Sequence, residues 1–401
     1  MQKQPETFPS LWTLEDGITF SMLSKFLICR HRFWIKYVLG LKESRGFDHK
    51  SEYGNLMHAA FEAFAASPKS KKSFEQRVAA GVKGIDAYRK EFDNDLISDS
   101  GDIDFWTTVA KAHFEHYATH WRKRDEKRIY IAQEEVFDEP IELPSGRRIR
   151  LRGKIDELFQ TPSKPGKLGP RTLQENKVKG RVDEDGILMS LHCDFQTMLY
   201  LVVLDMKGWT THKVLYNVLL RPNSGGIGNQ IVQRKGRGNA KKGMETREEF
   251  CKRVSRLPAT DPRLFYHRFN VEVTDSDLEM FKKQILFPVL EQLADWWKSI
   301  KDKPSDPWTT PCSREEMENM APGFCFPRKP NSLHYLRPFG VYDSLADGMR
   351  GDYFDFITSG GTNRSGLKRS ESAFPELDSP SLANLKGKPN GPTARSTRKG
   401  W

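Results

Sequence analysis

The chain is poor in cysteine, with five among 401 residues: Cys29, Cys193, Cys251, Cys312 and Cys325. The number is odd and no pair has C-x-x-C spacing, which excludes a disulfide framework and a zinc knuckle as organising devices. Reduced thiols in a reducing compartment are the expectation. No apolar run nears the ~18 residues that cross a bilayer; the longest, residues 197–204, is far shorter. The first ten residues lack the charged-then-apolar pattern of a secretory signal. These absences lead us to expect a cytoplasmic protein with no membrane partner. No internal repeat is present. At 37% hydrophobic residues, the chain can bury a substantial core as one large domain or two ordinary ones.

Positive charge is in excess. Lysine and arginine number 64 against 53 acidic residues, a formal net charge of +11. Cations that neutralise phosphates release condensed counterions, so this balance favours a polyanionic partner. Part of the excess lies in the last forty or so residues, and many basic proteins bind no nucleic acid.

Apolar periodicity predicts a first helix over residues 21–38, capped by Ser21 and stopped by Gly40. Its basic residues Lys25, Arg30, His31, Arg32 and Lys36 form either a solvated face or a contact for a DNA backbone. A second helix should start near Gly54 and carry His58, Phe61 and Phe64. Further helices are expected over 74–92 and 104–124. Three strands follow, over 129–137, 148–159 and 171–178, and should form an antiparallel meander. The turn 144–146 and a Pro/Gly/Lys-rich connection over 161–170 separate them. One buried helix is expected over 188–204, then strands over 212–220 and 264–273. Thr274 should cap a long helix reaching residue 300. The segments 69–72 and 223–242 read as basic loops, and 69–72 and 234–242 are candidate backbone contacts. From residue 359 to 401 the sequence has too few large apolar residues to offset ordering entropy and should be a disordered basic tail.

The chemistry concentrates in two of these strands. Residues two apart on a strand share a face, so Glu175 and Lys177 project together, as do Arg152, Lys154 and Asp156. If the two strands pair, two carboxylates and an ammonium converge. Paired carboxylates hold a hard cation such as Mg²⁺, which polarises a phosphoryl oxygen and acidifies a bound water. Lys177 can position that water or stabilise charge developing on phosphate. The plain reading of the same residues is a surface strand with an ordinary Glu–Lys pair, because E-x-K is common. Downstream, Gln196 and Tyr200 lie four apart and share a helix face.

The order Ser21…Cys29-Arg30-His31-Arg32-Phe33, Gly54…His58, Gly153…Ile155-Asp156, Glu175-Asn176-Lys177, Gln196…Tyr200 resembles the RecB-type exonucleases of the PD-(D/E)XK superfamily, particularly the stand-alone phage versions. The likeness spans residues 18–204, weakening towards Asp343. It implies an α/β, restriction-endonuclease-like fold: a mixed sheet core flanked by helices, with a helical N-terminal region. The domain would cover residues 1–358, with a helical part over 18–125, a catalytic core over 126–220 and a helical and irregular part over 247–358. The resemblance further implies that His58, Asp156 and Glu175 ligate Mg²⁺ or Mn²⁺, with the backbone carbonyl of Asn176. Lys177 would be the catalytic lysine, and Gln196 and Tyr200 would steady the site or contact DNA. The implied activity is a DNA exonuclease of recombination, repair or phage DNA metabolism, in a bacterial or phage-infected cell. It admits a recombinase, a helicase or a single-strand-binding protein as partner. An inactive DNA-binding accessory protein of the same fold and an RNA-processing nuclease are the competing readings. The intact set His58, Asp156, Glu175 and Lys177 argues against the first.

Many such relatives carry a [4Fe–4S] cluster on one cysteine of the first helix and three near the C-terminus. Cys29 occupies the first place, but Leu333, Phe339 and Leu345 stand where the others are expected, and Cys312 and Cys325 do not restore the spacing. A cluster needs about four thiolates. We therefore expect no iron–sulfur cluster. Protein purified without oxygen should contain no stoichiometric iron or acid-labile sulfide; a full complement of either would overturn this.

Overall fold

The computed structural model describes residues 10–28, 30–43, 49–67, 72–90, 100–191, 194–221, 246–300, 367–375 and 377. In chain order the elements begin with β1 (Ile18–Thr19), α1 (Phe20–Ile28), α2 (Arg30–Phe33) running into a π turn, β2 (Leu41–Glu43), α3 (His49–Ala65), α4 (Phe74–Lys90) and α5 (Ser100–Asp125). The strands β3 (Ile129–Glu142), β4 (Arg148–Gln160), β5 (Pro162–Lys164), β6 (Lys167–Leu168) and β7 (Thr172–Lys179) follow, then α6 (Glu184–Leu191), α7 (Phe195–Met206) and β8 (Lys213–Leu220). The remainder is α8 (Arg247–Thr260), α9 (Pro262–Phe265), β9 (Tyr266–Glu272), α10 (Asp275–Phe281), α11 (Phe287–Ile300) and β10 (Leu367–Arg369).

A mixed sheet flanked by helices organises these elements. Strand β4 alternates buried and accessible residues over its first half, as a half-covered strand must. It pairs antiparallel with β3 along one edge, through the tight turn at 143–147. Its other edge is shared: β1 lies parallel at Leu151 and Arg152, and β7 lies antiparallel from Glu157 onward. Gly17 lets β1 come this close, because its backbone takes φ +88° and a Cβ there would stand 2.7 Å from the Arg150 carbonyl. Strand β8 is parallel to β7 along its whole length, which requires the crossover supplied by α6 and α7. Strand β9 closes the order antiparallel to β8. The three-strand meander is as the sequence predicts.

The sheet separates two apolar clusters. Val214, Tyr216 and Val218 of β8 join one with Trp12, Phe26, Phe33, α7 and Trp296. Leu219, on the opposite face by alternation, joins the other with Tyr53, Phe61, Phe114 and Phe265. Rings of the first cluster meet edge to face, Trp12 with Phe33 at 5.1 Å and Phe26 with Trp296 at 5.5 Å. Each large side chain withdrawn from water this completely contributes roughly 1.5–3 kcal/mol.

Local chemistry explains where the elements differ from expectation. Helix α1 begins one residue early because the buried Thr19 hydroxyl, not Ser21, accepts the Met22 N–H at 3.3 Å. The single helix expected over 188–204 is two helices. Asp194 accepts the Thr197 N–H at 2.9 Å and starts α7 afresh, since a short acidic side chain caps more readily than it continues a helix. The stretch Glu184–Met206 is apolar enough, by length and composition, to cross a membrane, but Thr197 to Leu204 are all buried in the core. Pro262 opens the short α9, so the next strand starts at Tyr266 rather than at Leu264. The irregular connection after β4 is a small hairpin, β5 with β6. Thr274 caps α10 as predicted.

The tail expected to be disordered from residue 359 is ordered at 367–375. Strand β10 pairs antiparallel with β2, Ala373 and Phe374 join the first core cluster, and Phe374 lies under the Arg152 guanidinium at 4.2 Å. A composition average over a polar tract hides two apolar residues that meet a ready-made hollow and a free strand edge. Lys69 to Lys71, the loop 223–242, Cys29 and the positions expected to have lost cluster cysteines lie outside the described residues.

His113 of α5 joins the helical layer. Its Nδ1 stands 2.7 Å from the Tyr53 hydroxyl, and the Tyr266 hydroxyl donates to its carbonyl at 2.9 Å. Burial pushes its pKa down from 6.5 to about 3, against the pull of the Val254 carbonyl. The folded chain therefore keeps this imidazole neutral while the unfolded chain protonates it below about 6.5. The associated stability is complete above pH 6.5 and is lost as pH falls towards 3, by at most ~1.4 kcal/mol per pH unit. Urea midpoints measured from pH 7 to 4 should fall for the wild type and fall less steeply for His113→Gln; parallel curves would refute this.

Candidate active site

The site lies where two strands part. Backbone pairing between β4 and β7 runs through Phe159, Leu158 and Glu157 and stops there. Asp156 is the next residue of β4, and its Oδ2 accepts the N–H of Asn176 at 2.7 Å. A side chain thus takes the place of a backbone partner, and beyond it β7 keeps only β8 as a neighbour. Gly153 makes a second adjustment. A Cβ there would meet the Phe137 ring at 2.5 Å, and that ring packs edge to face on Tyr200 at 5.6 Å.

Glu175 and Lys177 share a face of β7, as alternation requires. The Lys177 ammonium hydrogen-bonds Glu175 Oε1 and donates to Gln196 Oε1 at 2.6 Å, and Gln196 Nε2 reaches the Tyr200 hydroxyl at 3.0 Å. The four residues Glu175, Lys177, Gln196 and Tyr200 are therefore one chain of contacts from the sheet to α7. Burial pushes the Glu175 carboxyl up to about 7, opposed by Lys177 and aided by Asp156. Burial also raises Asp156, against Lys177 and the Asn176 N–H. The Lys177 ammonium is raised: burial opposes its charge, but the Glu175 carboxylate outweighs that. His58, on α3, feels the charges of Lys177, Glu175 and Lys154. Burial first, then Lys177, lowers its pKa to about 4, so at neutral pH it is the unprotonated imidazole that can ligate a metal.

Among the described residues, no three His, Cys, Asp or Glu side chains gather closely enough to hold an ion by themselves. His58, Asp156 and Glu175 are thus neighbours through their fields but not a closed ligand cluster. The donor chemistry nevertheless fits a divalent cation. Glu175 Oε2 is buried with no hydrogen-bond partner. Two further carboxylates stand close by, Glu62 and Glu134, each with a side chain 7% exposed and each bridged to Lys154. Four carboxyl groups, Glu62, Glu134, Asp156 and Glu175, thus gather with two ammonium groups, and burial raises Glu134, Asp156 and Glu175. Hard oxygen donors with room for waters are what Mg²⁺ accepts.

The opposite face of the same strands carries a buried network that the sequence reading missed. Asn176 Oδ1 accepts from Gln174 at 2.9 Å and from Asn217 at 2.8 Å. Asn217 also donates to the Tyr117 hydroxyl at 2.9 Å and accepts from Arg268 Nε at 3.1 Å. Arg268 forks onto both oxygens of Asp125, each at 2.8 Å. Arg128 joins Gln174 Oε1 at 2.9 Å to Glu157 at 3.0 Å. One signal was readable: Asn217 interrupts an apolar strand, and a polar residue inside such a run must find partners.

A family model of the PD-(D/E)XK nuclease superfamily matches residues 18–302. No curated protein matches the chain. The network just described has a measurable cost of disruption. Arg268→Leu strands Asn217 and removes the fork from Asp125, which leaves a buried charge half-compensated. It should destabilise the fold by on the order of 3 kcal/mol, read as the shift in urea denaturation, with Arg268→Lys intermediate. A change below about 1 kcal/mol would show the network to be incidental.

Proposed function

Because the chain belongs to the PD-(D/E)XK nuclease superfamily, we propose that it is a metal-dependent DNA exonuclease that hydrolyses phosphodiester bonds in recombination, repair or phage DNA metabolism. One observation carries this reading. At the parting of β4 and β7, Asp156, Glu175 and Lys177 converge, and Gln196 holds the lysine from the next helix. Asp156, Glu175 and the Asn176 carbonyl would hold Mg²⁺ or Mn²⁺, with His58 alongside. Such an ion, when bound, polarises a phosphoryl oxygen and lowers the pKa of a water.

The chain's own residues do the rest. Lys177 stays charged in this setting and offers a cation to the phosphate as its negative charge grows, in a water-poor site where that interaction is strong. Gln196 and Tyr200 fix the direction of its ammonium, so little reorganisation is needed when substrate arrives. The Asn176 N–H favours the ionised form of Asp156 against the opposing effect of burial. Basic segments, including Lys69 to Lys72 and 234–242, would neutralise backbone phosphates without reading sequence. We place the protein in the cytoplasm of a bacterial or phage-infected cell, where a recombinase, helicase or single-strand-binding protein could deliver its substrate.

The test is degradation of end-labelled single- and double-stranded DNA and RNA with Mg²⁺ or Mn²⁺, with circular DNA to separate end-dependent from internal cutting. Asp156→Asn, which keeps an acceptor for the Asn176 N–H, and Lys177→Ala should each lower the rate by roughly 10²-fold or more while circular dichroism stays unchanged. Full activity in either variant would refute the site assignment. Activity confined to RNA would move the substrate, and rapid cutting of circles would refute the exonuclease.

A further inference from the structure

We propose that this site works with a single divalent cation, and that the ammonium of Lys154, gripped by Glu62 and Glu134, fills the place a second cation would need. The proposal rests on the metal-dependent reading above and concerns how many ions that site takes.

Lys154 lies two residues before Asp156 on β4 and so on the same face. Its Nζ stands 2.7 Å from Glu134 Oε2 and 3.5 Å from Glu62 Oε2. The two glutamates arrive from different elements. Glu62 follows His58 by one helical turn of α3, and α3 thereby touches β4 beside the site. Glu134 belongs to β3, where the pairs Gln133 with Glu157 and Glu135 with Ile155 put it opposite Asp156. Carboxylates directly opposite on neighbouring strands repel one another. Burial and Asp156 both raise the Glu134 carboxyl, and the cation that opposes them is the Lys154 ammonium.

The backbone carries the same message. Glu134 has φ +49°, the only non-glycine residue with positive φ among those described. A residue with a Cβ adopts that region only where its surroundings hold it, and such residues cluster at working sites. The contact Glu134 makes from this conformation is with Lys154.

Occupancy sets the limit on ions. Lys154 stands against Glu62 and Glu134, and Lys177 against Glu175, which leaves Asp156 and the unpartnered Glu175 Oε2 for an ion. A second ion at Glu62 and Glu134 therefore requires that Lys154 leave. Lys177 is committed to Glu175 and Gln196. Lys154 pairs instead with Glu62 and Glu134.

Bound Mn²⁺ counted by electron paramagnetic resonance on the full-length chain tests this without reference to activity. The wild type should bind one Mn²⁺, with the spectrum of an isolated ion. Lys154→Ala, which frees Glu62 and Glu134, should bind two and show a spin-coupled spectrum, while Lys154→Arg should remain at one. Two coupled ions in the wild type would overturn the proposal alone, and no bound Mn²⁺ would overturn the metal-dependent reading with it. A folded Lys154→Ala chain that still binds one ion would remove the lysine's role. If that variant does not fold, the wild-type count decides between one ion, which supports the proposal, and two, which overturns it.

Discussion

The hydrogen bond from the Asn176 N–H to the Asp156 carboxylate is the contact on which the rest of the architecture turns. It is made at the point where β4 and β7 stop pairing, so it closes the ladder and opens the cleft at once. A backbone amide left unpaired here would be costly, and a carboxylate left unbonded in the interior more so. Each answers the other's need. The bond also ties the direction of Asp156 to the register of β7, so that Glu175 and Lys177 arrive on the correct face without any contact of their own to β4.

The two faces of β7 then divide the work. One presents Glu175 and Lys177 to α7. The other carries Gln174 and Asn176 into a network of amides, two arginines and carboxylates reaching α5 and β9. Groups on the working face are held in states that suit chemistry rather than stability: carboxyls pushed up by burial, an imidazole kept neutral. Groups on the rear face are linked through forks and paired amides, with the Asn176 Oδ1 accepting from both Gln174 and Asn217. A strand with reactive groups on one side and a hydrogen-bonded network on the other positions those groups firmly, the arrangement a restriction-endonuclease-like fold offers through its mixed sheet.

Much of this was legible in the residues. The meander followed from alternation, and the pairing of Asp156 with Glu175 and Lys177 followed from the meander. Gln196 and Tyr200 shared a helix face and meet as a pair. What escaped the sequence reading shares one physical cause: dependence on partners far apart in the chain. Arg268 looks like any exposed strand arginine until Asp125 and Asn217 are brought beneath it. Glu134 and Glu62 look like surface acids until Lys154 draws both inward. The break before α7 is the exception: Asp194 is a readable cap, but it sits in an apolar run that also fits one continuous helix.

The pairing of β10 with β2 joins residues more than 300 positions apart. Loop closure over such a span is entropically unfavourable and is met late. During synthesis, every catalytic strand and helix will have emerged before Leu367 and Phe374 appear. Among the described elements, the cover over Arg152 and the edge of β2 is therefore the last added.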